Sequence, residues 1–381
     1  MTTILVRYAE IGLKGKNRRD FEHRLMANIQ TKLGLAKSNL KLENKQIIVS
    51  LSDKADLHQL KQVFGIAWFA PVQACPSQLL AISKLAGKIA KAEIKSTHAF
   101  AIRASRADKQ LSFTSQDIAE KVGEAVRKLT SAKVDLSRPD KTVYISASKA
   151  QTYIFTQKLP GPGGLPIGSS GKVLSLLSGG FDSIAASYLL AKRGASVDFL
   201  HFHVFPKAAK VMQTKIKAIT HQLSAITLSQ QLFLASYLPF QMAILDLDKR
   251  HEKHELVVFR RLMVRVGEVL AQKHGYQALV LGDSLGQVAS QTMENIIAVD
   301  QAVNLPIFRP LIGLDKQEII DLVRKLNLEK TTNQPYKDCC SIISSHPATK
   351  ANLKKVELIE KQINIQKITH ETLQQTQIIN L

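Results

Sequence analysis

The stretch "VLSLLSGGFDSIAASYLL", residues 173–190, decides the fold of the larger part of this chain. It begins as a nearly continuous apolar run, the signature of a strand buried on both faces of a parallel sheet. From Ile184 onward, apolar residues recur at helical spacing. Between the two lie a pair of glycines, two serines and an acid. Glycines let a backbone approach a ligand closely, and the free N–H groups of a helix N-terminus attract anions. Ser178 and Ser183 add hydroxyl donors. Asp182 is the odd member, because a carboxylate beside phosphates repels them unless it helps to hold Mg²⁺. The same residues also suit a plain turn in which Asp182 or Ser183 caps the helix. The loop alone leaves both readings open.

Further along, "SVDFLHFHV" (196–204) and "ALVLGDS" (278–284) read as strands separated by helical text, which predicts an α/β domain with a mostly parallel sheet. Ligands of such sheets collect at the carboxyl ends of the strands, where the 178–183 loop falls. Its spacing matches neither G-x-x-x-x-G-K-[ST] nor G-x-G-x-x-G. Before it, "QKLPGPGGLPIGSSGK" (157–172) is rich in glycine, proline and serine and reads as a linker. The first part of the chain alternates short strands with amphipathic helices, predicting two α+β modules joined near residue 60.

Bulk properties narrow the function. The chain has 381 residues, 45% hydrophobic and 22% charged, as in globular proteins with more than one domain. No apolar run reaches the roughly 20 residues of a spanning helix. "MTTILVRYAE" lacks the features of a signal peptide, and three cysteines (Cys75, Cys339, Cys340) suit a reducing compartment, so the expected location is the cytoplasm. The net charge is +21. It concentrates in residues 1–170, with 27 basic and 13 acidic residues, against 25 and 18 in residues 171–381. A polyanion such as nucleic acid is the natural partner.

Six residues, S-G-G-F-D-S, after a buried strand resemble the PP-loop of ATP pyrophosphatases. "GDSLGQVASQT" (282–292), "RPLIGLDKQEI" (309–319), "PYKDCC" (335–340) and "RYAEIGLKGKNRRDFE" (7–22) extend the likeness. So do "GGLPIGSSGKVLSLLSGG" (163–180) and "AIRASRADKQLSFTSQDIAEKVG" (101–123), the latter similar to a THUMP signature. Together they resemble the tRNA 4-thiouridine synthetases, or tRNA sulfurtransferases, over nearly the whole chain. The resemblance implies a ferredoxin-like domain at residues 1–58, a THUMP domain at 59–160, a linker at 161–172 and a PP-loop domain at 173–381. It implies ATP with Mg²⁺ as cofactors, tRNA as substrate, a cysteine desulfurase as sulfur donor and a homodimeric enzyme, in a family also connected with thiamine biosynthesis. Only helical text follows the cysteine pair, so no rhodanese-like domain is expected.

By that resemblance, Ser178, Gly179, Gly180, Asp182 and Ser183 hold the pyrophosphate. Leu176, Leu177, His201 and Phe202 contact adenosine. Arg260 in "HELVVFRRLMVRVGE" offsets phosphate charge, with Arg261 as its alternative, and Gly282 and Gln291 contact nucleotide. Cys340 carries the sulfur as a persulfide. Asp283 stands where the family usually has glutamate. A metal pair at His201 and His203 lacks companion ligands in the sequence, and the cysteine spacing suits neither zinc nor an iron–sulfur cluster. Lys14, Lys16, Arg18 and Arg19, with Arg103, Arg106 and Lys109, are the expected RNA contacts. Two rival readings are a PP-loop enzyme adenylating a small molecule and a non-catalytic RNA-binding protein.

Overall fold

The computed structural model describes residues 2–52, 56–106, 110–245, 247–343 and 347–381, with the backbone alone for Lys249, Cys340 and Ser341. The chain divides into two units, residues 1–166 and 167–381.

In the first unit the strands are β1 (Thr2–Tyr8), β2 (Leu40–Glu43), β3 (Gln46–Leu51), β4 (Ile66–Cys75), β5 (Ala99–Arg106), β6 (Lys133–Val134), β7 (Lys141–Ala147), β8 (Thr152–Phe155) and β9 (Leu159–Pro160). They form one sheet in the order β2-β3-β1-β4-β8-β7-β5-β6, with β9 also on β4. Helix α1 (Arg18–Leu33) packs over the first half, and α2 (Leu79–Glu93) and α3 (Ser115–Thr130) over the second. Strand alternation explains the two-sided burial. Ile4 and Val6 join the core containing Leu25 and Ile29 of α1, whereas Leu5 joins Val72 and Phe155 on the other face.

Strand β4 lies beyond the expected boundary at 58/59, yet pairs with β1 from Tyr8↔Ile66 to Thr3↔Val72 and then with β8 from Gln73↔Ile154. The stretch "KADLHQLKQVFG" (54–65), its start lying outside the described residues, holds a 3₁₀ turn at Leu57–Gln62 rather than an amphipathic α-helix. The glycine-rich stretch is not a free linker either. Gly161 and Gly163 donate to the carbonyls of Ala67 and Ile66, and a Cβ at Gly161 would stand 2.3 Å from the Ile66 oxygen. Glycine is needed there for close packing rather than for freedom.

The second unit has a six-stranded sheet in the order β14-β13-β10-β11-β12-β15. These are β10 (Lys172–Leu176), β11 (Ser196–His203), β12 (Gln231–Ser236), β13 (Ala278–Val280), β14 (Ile307–Phe308) and β15 (Gln377–Asn380). All pair in parallel except β15, which runs antiparallel to β12. The helices are α4 (Phe181–Lys192), α5 (Lys215–Thr227), α6 (Leu238–Ile244), α7 (Glu255–His274), α8 (Met293–Asp300), α9 (Lys316–Lys325), α10 (Glu329–Thr332), α11 (Cys340–Ile343), α12 (Leu353–Gln362) and α13 (Ile365–Gln374). The chain proceeds outward from β10 to β11 and β12, then returns to lay β13 on the other side of β10. Connections diverge at the carboxyl end of β10, which opens a crevice there. Among the described residues, no helix is long and apolar enough to cross a membrane.

Candidate active site

The loop from β10 to α4 is braced by its own hydroxyls. Ser183 Oγ accepts from Ser178 N–H at 3.1 Å, donates to the Gly180 carbonyl at 3.2 Å and lies 3.2 Å from Ser178 Oγ. Gly180 N–H donates to Ser178 Oγ. Gly179 has φ +83°, in the left-handed region that glycine enters without penalty. Across the crevice, Gly282 follows β13 so closely that a Cβ there would lie 2.7 Å from the Asp182 carbonyl carbon and 2.8 Å from Ser183 N. Asp182 itself accepts from Lys316 Nζ at 2.7 Å and Gln287 Nε2 at 3.0 Å.

A cavity of about 220 Å³ opens beside this loop. Leu176, Leu200, Phe202 and Leu281 form apolar wall, while Ser178, Asp182, Ser183, Arg260 and Gln291 contribute polar groups. The Gln291 side-chain oxygen is buried without a hydrogen-bond partner among the described residues, leaving an acceptor at the cavity. Arg260 donates to Asp283 at 2.6 Å and to the Ser290 carbonyl at 2.7 Å, and Arg309 bridges Asp283 at 2.9 Å and Asp300 at 2.6 Å. Burial opposes the charge on Asp283, but Arg260 and Arg309 overrule it and hold its carboxyl below the usual carboxylate range. This chain of charges fixes the direction of the Arg260 guanidinium.

Most expected nucleotide residues meet here. Leu176, Leu177, Ser178, Asp182, Ser183, Phe202, Arg260, Gly282 and Gln291 all line the cavity, with Gly179 and Gly180 forming the loop backbone. Helical geometry separates the two arginines. Arg261 turns to Glu360 of α12 at 2.7 Å, joined one turn later by Arg265.

The His201 side chain does not line the cavity. Alternation along β11 sends Leu200 and Phe202 to the cavity and the His201 ring to the opposite face. That ring is fully buried between the Leu177 carbonyl, 2.6 Å from Nδ1, and the Tyr336 hydroxyl, 2.7 Å from Nε2. Burial lowers its pKa to about 4, with the Leu177 bond opposing and His203 reinforcing the shift, so the imidazole is neutral near pH 7.

Cys339 is buried and lines the cavity beside Asp338. Cys340 opens α11, and its side chain lies outside the described atoms. The roles of Gln287 and Lys316 as partners of Asp182 escaped the sequence reading, because Gln287, in a loop, and Lys316, at the start of α9, both lie more than a hundred residues away.

The expected RNA contacts belong to the first unit. Arg18 donates to the Lys14 carbonyl, and Lys14 Nζ sits 4.7 Å from the Phe21 ring centre. Lys16 and Arg19 are exposed. Arg106 is engaged with the carbonyls of Leu111 and Phe113, whereas Lys109 lies outside the described residues. Arg103 lines a concavity of about 410 Å³ with Arg7, Trp68, Tyr144, Phe155 and Lys158. Tyr144 and Phe155 stack at 5.2 Å, and Lys158 Nζ lies 4.0 Å from the Tyr144 centroid. Sequence reading missed this group because five strands and a loop assemble it.

Known proteins share this sequence and fold. The family model described as Thiamine biosynthesis protein (ThiI) matches residues 168–365, the ThiI ferredoxin-like domain matches 3–70, and the THUMP domain matches 77–157. The chain is 35% identical over 385 residues to a probable tRNA sulfurtransferase of Moorella thermoacetica, covering 100% of this chain and 98% of the other. It is 34% identical to a protein of the same description from Acetivibrio thermocellus, covering 99% and 98%. A crystal structure of a 4-thiouridine synthetase–RNA complex with bound ATP superposes with a TM-score of 0.89 at 28% identity, covering 100% of both chains. With identity sustained from the first module through the crevice of the second, the chain belongs to the ThiI family of tRNA sulfurtransferases.

Proposed function

We propose that this protein thiolates uridine at position eight of tRNA in an ATP-dependent reaction. Residues 1–160 bind tRNA and residues 173–381 activate and thiolate it, with 161–172 between them. The observation that carries this reading is a single cavity onto which the SGGFDS loop, Arg260, Gln291 and Cys339 all open. Cys339 at this cavity, next in sequence to Cys340, supports nucleotide activation and sulfur delivery in one place.

A uracil oxygen is a poor leaving group, so it must first be converted to a better one. Uridine O4 attacks the α-phosphorus of ATP while N3 gives up its proton, and the α–β phosphoanhydride bond breaks to release pyrophosphate. The terminal sulfur of a Cys340 persulfide, loaded by a cysteine desulfurase, loses its proton and attacks C4. AMP departs with O4 and the bonding electrons. A small-molecule thiol then attacks the Cys340 sulfur, freeing the 4-thiolate, which regains a proton at N3. A second thiol restores Cys340 and leaves as the oxidised dimer.

The loop hydroxyls and backbone suit the phosphates, and Arg260 offsets their charge. Gln291 offers its unpartnered oxygen to the adenine amino group between apolar walls. Asp182, held by Lys316 and Gln287 rather than arginine, is the carboxylate suited to share Mg²⁺ with the phosphates. The basic, aromatic concavity of the first unit suits an unpaired RNA base and its phosphate. Met293 and Ile297, exposed one turn apart on α8, favour a homodimer. The expected setting is the cytoplasm.

The test is 4-thiouridine formation in unmodified tRNA with protein, MgATP, cysteine, a thiol and a desulfurase. Cys340→Ser is expected to abolish thiolation, and Asp182→Ala to abolish both thiolation and tRNA-dependent pyrophosphate release. Absence of both signals from the wild-type protein would refute the proposal.

A further inference from the structure

His201 is turned away from the cavity, yet it is fully buried and hydrogen-bonded at both ring nitrogens. Its neutral ring has one N–H and one lone pair in the plane. The Leu177 carbonyl can only accept, so Nδ1 carries the hydrogen and Nε2 accepts from the Tyr336 hydroxyl. Leu177 immediately precedes Ser178 of the phosphate loop. Tyr336 precedes Cys339 and Cys340 in "PYKDCC". One imidazole therefore joins the base of the nucleotide loop to the segment carrying both cysteines.

A second tie lies alongside. Lys215, at the start of α5, donates to the Thr332 carbonyl at 2.7 Å, and its Nζ lies 5.9 Å from the Tyr336 ring centre. Its Cε would stand 3.6 Å from a Cβ at Gly179, beneath the phosphate loop. Phe205 closes the outer side, its ring centre 6.2 Å from that of Tyr336. The cysteine segment has only the short α11 for regular structure between residues 335 and 343. Buried Cys339 and Ile343 anchor it in the core, and these side-chain contacts add its tie to the phosphate loop.

Resting on the proposed function, we infer that His201 and Tyr336 are positioning residues that set the cysteine segment against the nucleotide loop and couple sulfur attack to adenylation. Neither side chain needs to touch ATP. Loss of their hydrogen bond leaves the phosphate loop and Arg260 in place but lets the sulfur-bearing segment drift. Displacement of about 1 Å can cost roughly a hundredfold in rate. Activated tRNA would then lose AMP to water more often than to sulfur.

The experiment measures 4-thiouridine formed per AMP released, together with tRNA-dependent pyrophosphate release and melting temperature. Tyr336→Phe keeps the ring and removes only the hydroxyl. It is expected to retain pyrophosphate release within about twofold and lower the thiouridine-to-AMP ratio about tenfold or more. His201→Asn, which retains an N–H near the Nδ1 position, should show the same fall in ratio. His201→Gln, whose oxygen reaches the Nε2 position, should restore the ratio. A ratio unchanged in Tyr336→Phe, or a proportional fall in both activities, would overturn the inference. A purely structural role would lower the melting temperature without changing the ratio, and would also overturn it. If wild type makes neither pyrophosphate nor 4-thiouridine, the underlying functional reading fails instead.

Discussion

Replacing Gly282 by alanine tests the closest backbone approach in the site. A Cβ there would lie 2.7 Å from the Asp182 carbonyl carbon, 2.8 Å from Ser183 N and 2.9 Å from the Asp182 oxygen. Comfortable carbon contacts begin near ~3.5 Å. One backbone must therefore retreat by roughly 0.7 Å, since these neighbours are backbone atoms and cannot swing aside as a side chain would. Neither is free to do so. The first turn of α4 is braced through Ser183 and tied by Asp182 to Lys316, while Asp283 is gripped by Arg260 and Arg309. Overpacking of this kind costs about 1–3 kcal/mol, or roughly 2–12 °C in melting temperature for a unit of this size. The displaced loop should also lower tRNA-dependent pyrophosphate release by about 10- to 100-fold. Gly313→Ala is the control, because a Cβ there meets nothing within 4 Å. The assays are thermal melting and pyrophosphate release under saturating MgATP. Wild-type melting and turnover in Gly282→Ala would refute the steric reasoning.

Three further outcomes are expected. Glu360→Ala strands Arg261 and Arg265 without their shared carboxylate and should destabilise the protein by about 3–5 kcal/mol in urea unfolding, while the KM for ATP stays unchanged. His201 has a folded pKa near 4, below its unfolded value of about 6.5, so the unfolded state binds more protons between those pH values. Its contribution, about 3 kcal/mol, is complete above that window and is lost as pH falls from about 6.5 to 4; urea unfolding of His201→Gln should show a shallower pH slope. Affinity for tRNA should fall with added salt at a log–log slope near −5 if about six phosphates are neutralised, and Lys16→Ala and Arg19→Ala should each flatten it by about 0.9. Nitrocellulose filter binding across a salt series checks this.

Some of these features are readable from residue order alone. The alternation of apolar runs with helical text makes the α/β unit legible, because a strand buried on both faces leaves a continuous hydrophobic signature. By contrast, β4 is hidden. Its Pro71 argues against a strand that pairs on both sides, yet Ile4↔Pro71 is part of the β1 ladder. The glycine-rich stretch at 157–172 has the composition of a linker, but Gly161 packs against Ile66 of β4 where no side chain fits.

Sequence by itself determined the chemical inventory: a phosphate-type loop between a buried strand and a helix, an adjacent cysteine pair, and a basic excess in the first 170 residues. These are local properties of residue type and spacing. Only the tertiary structure decided that Arg260 faces the cavity while Arg261 faces Glu360, and that His201 turns from the nucleotide side toward Tyr336. It also decided that Asp182 meets Lys316 and that Trp68, Tyr144 and Lys158 share one concavity. The physical reason is the same in each case. A side chain's partner is set by strand order, register and helix rotation, which bring together residues that no local pattern relates.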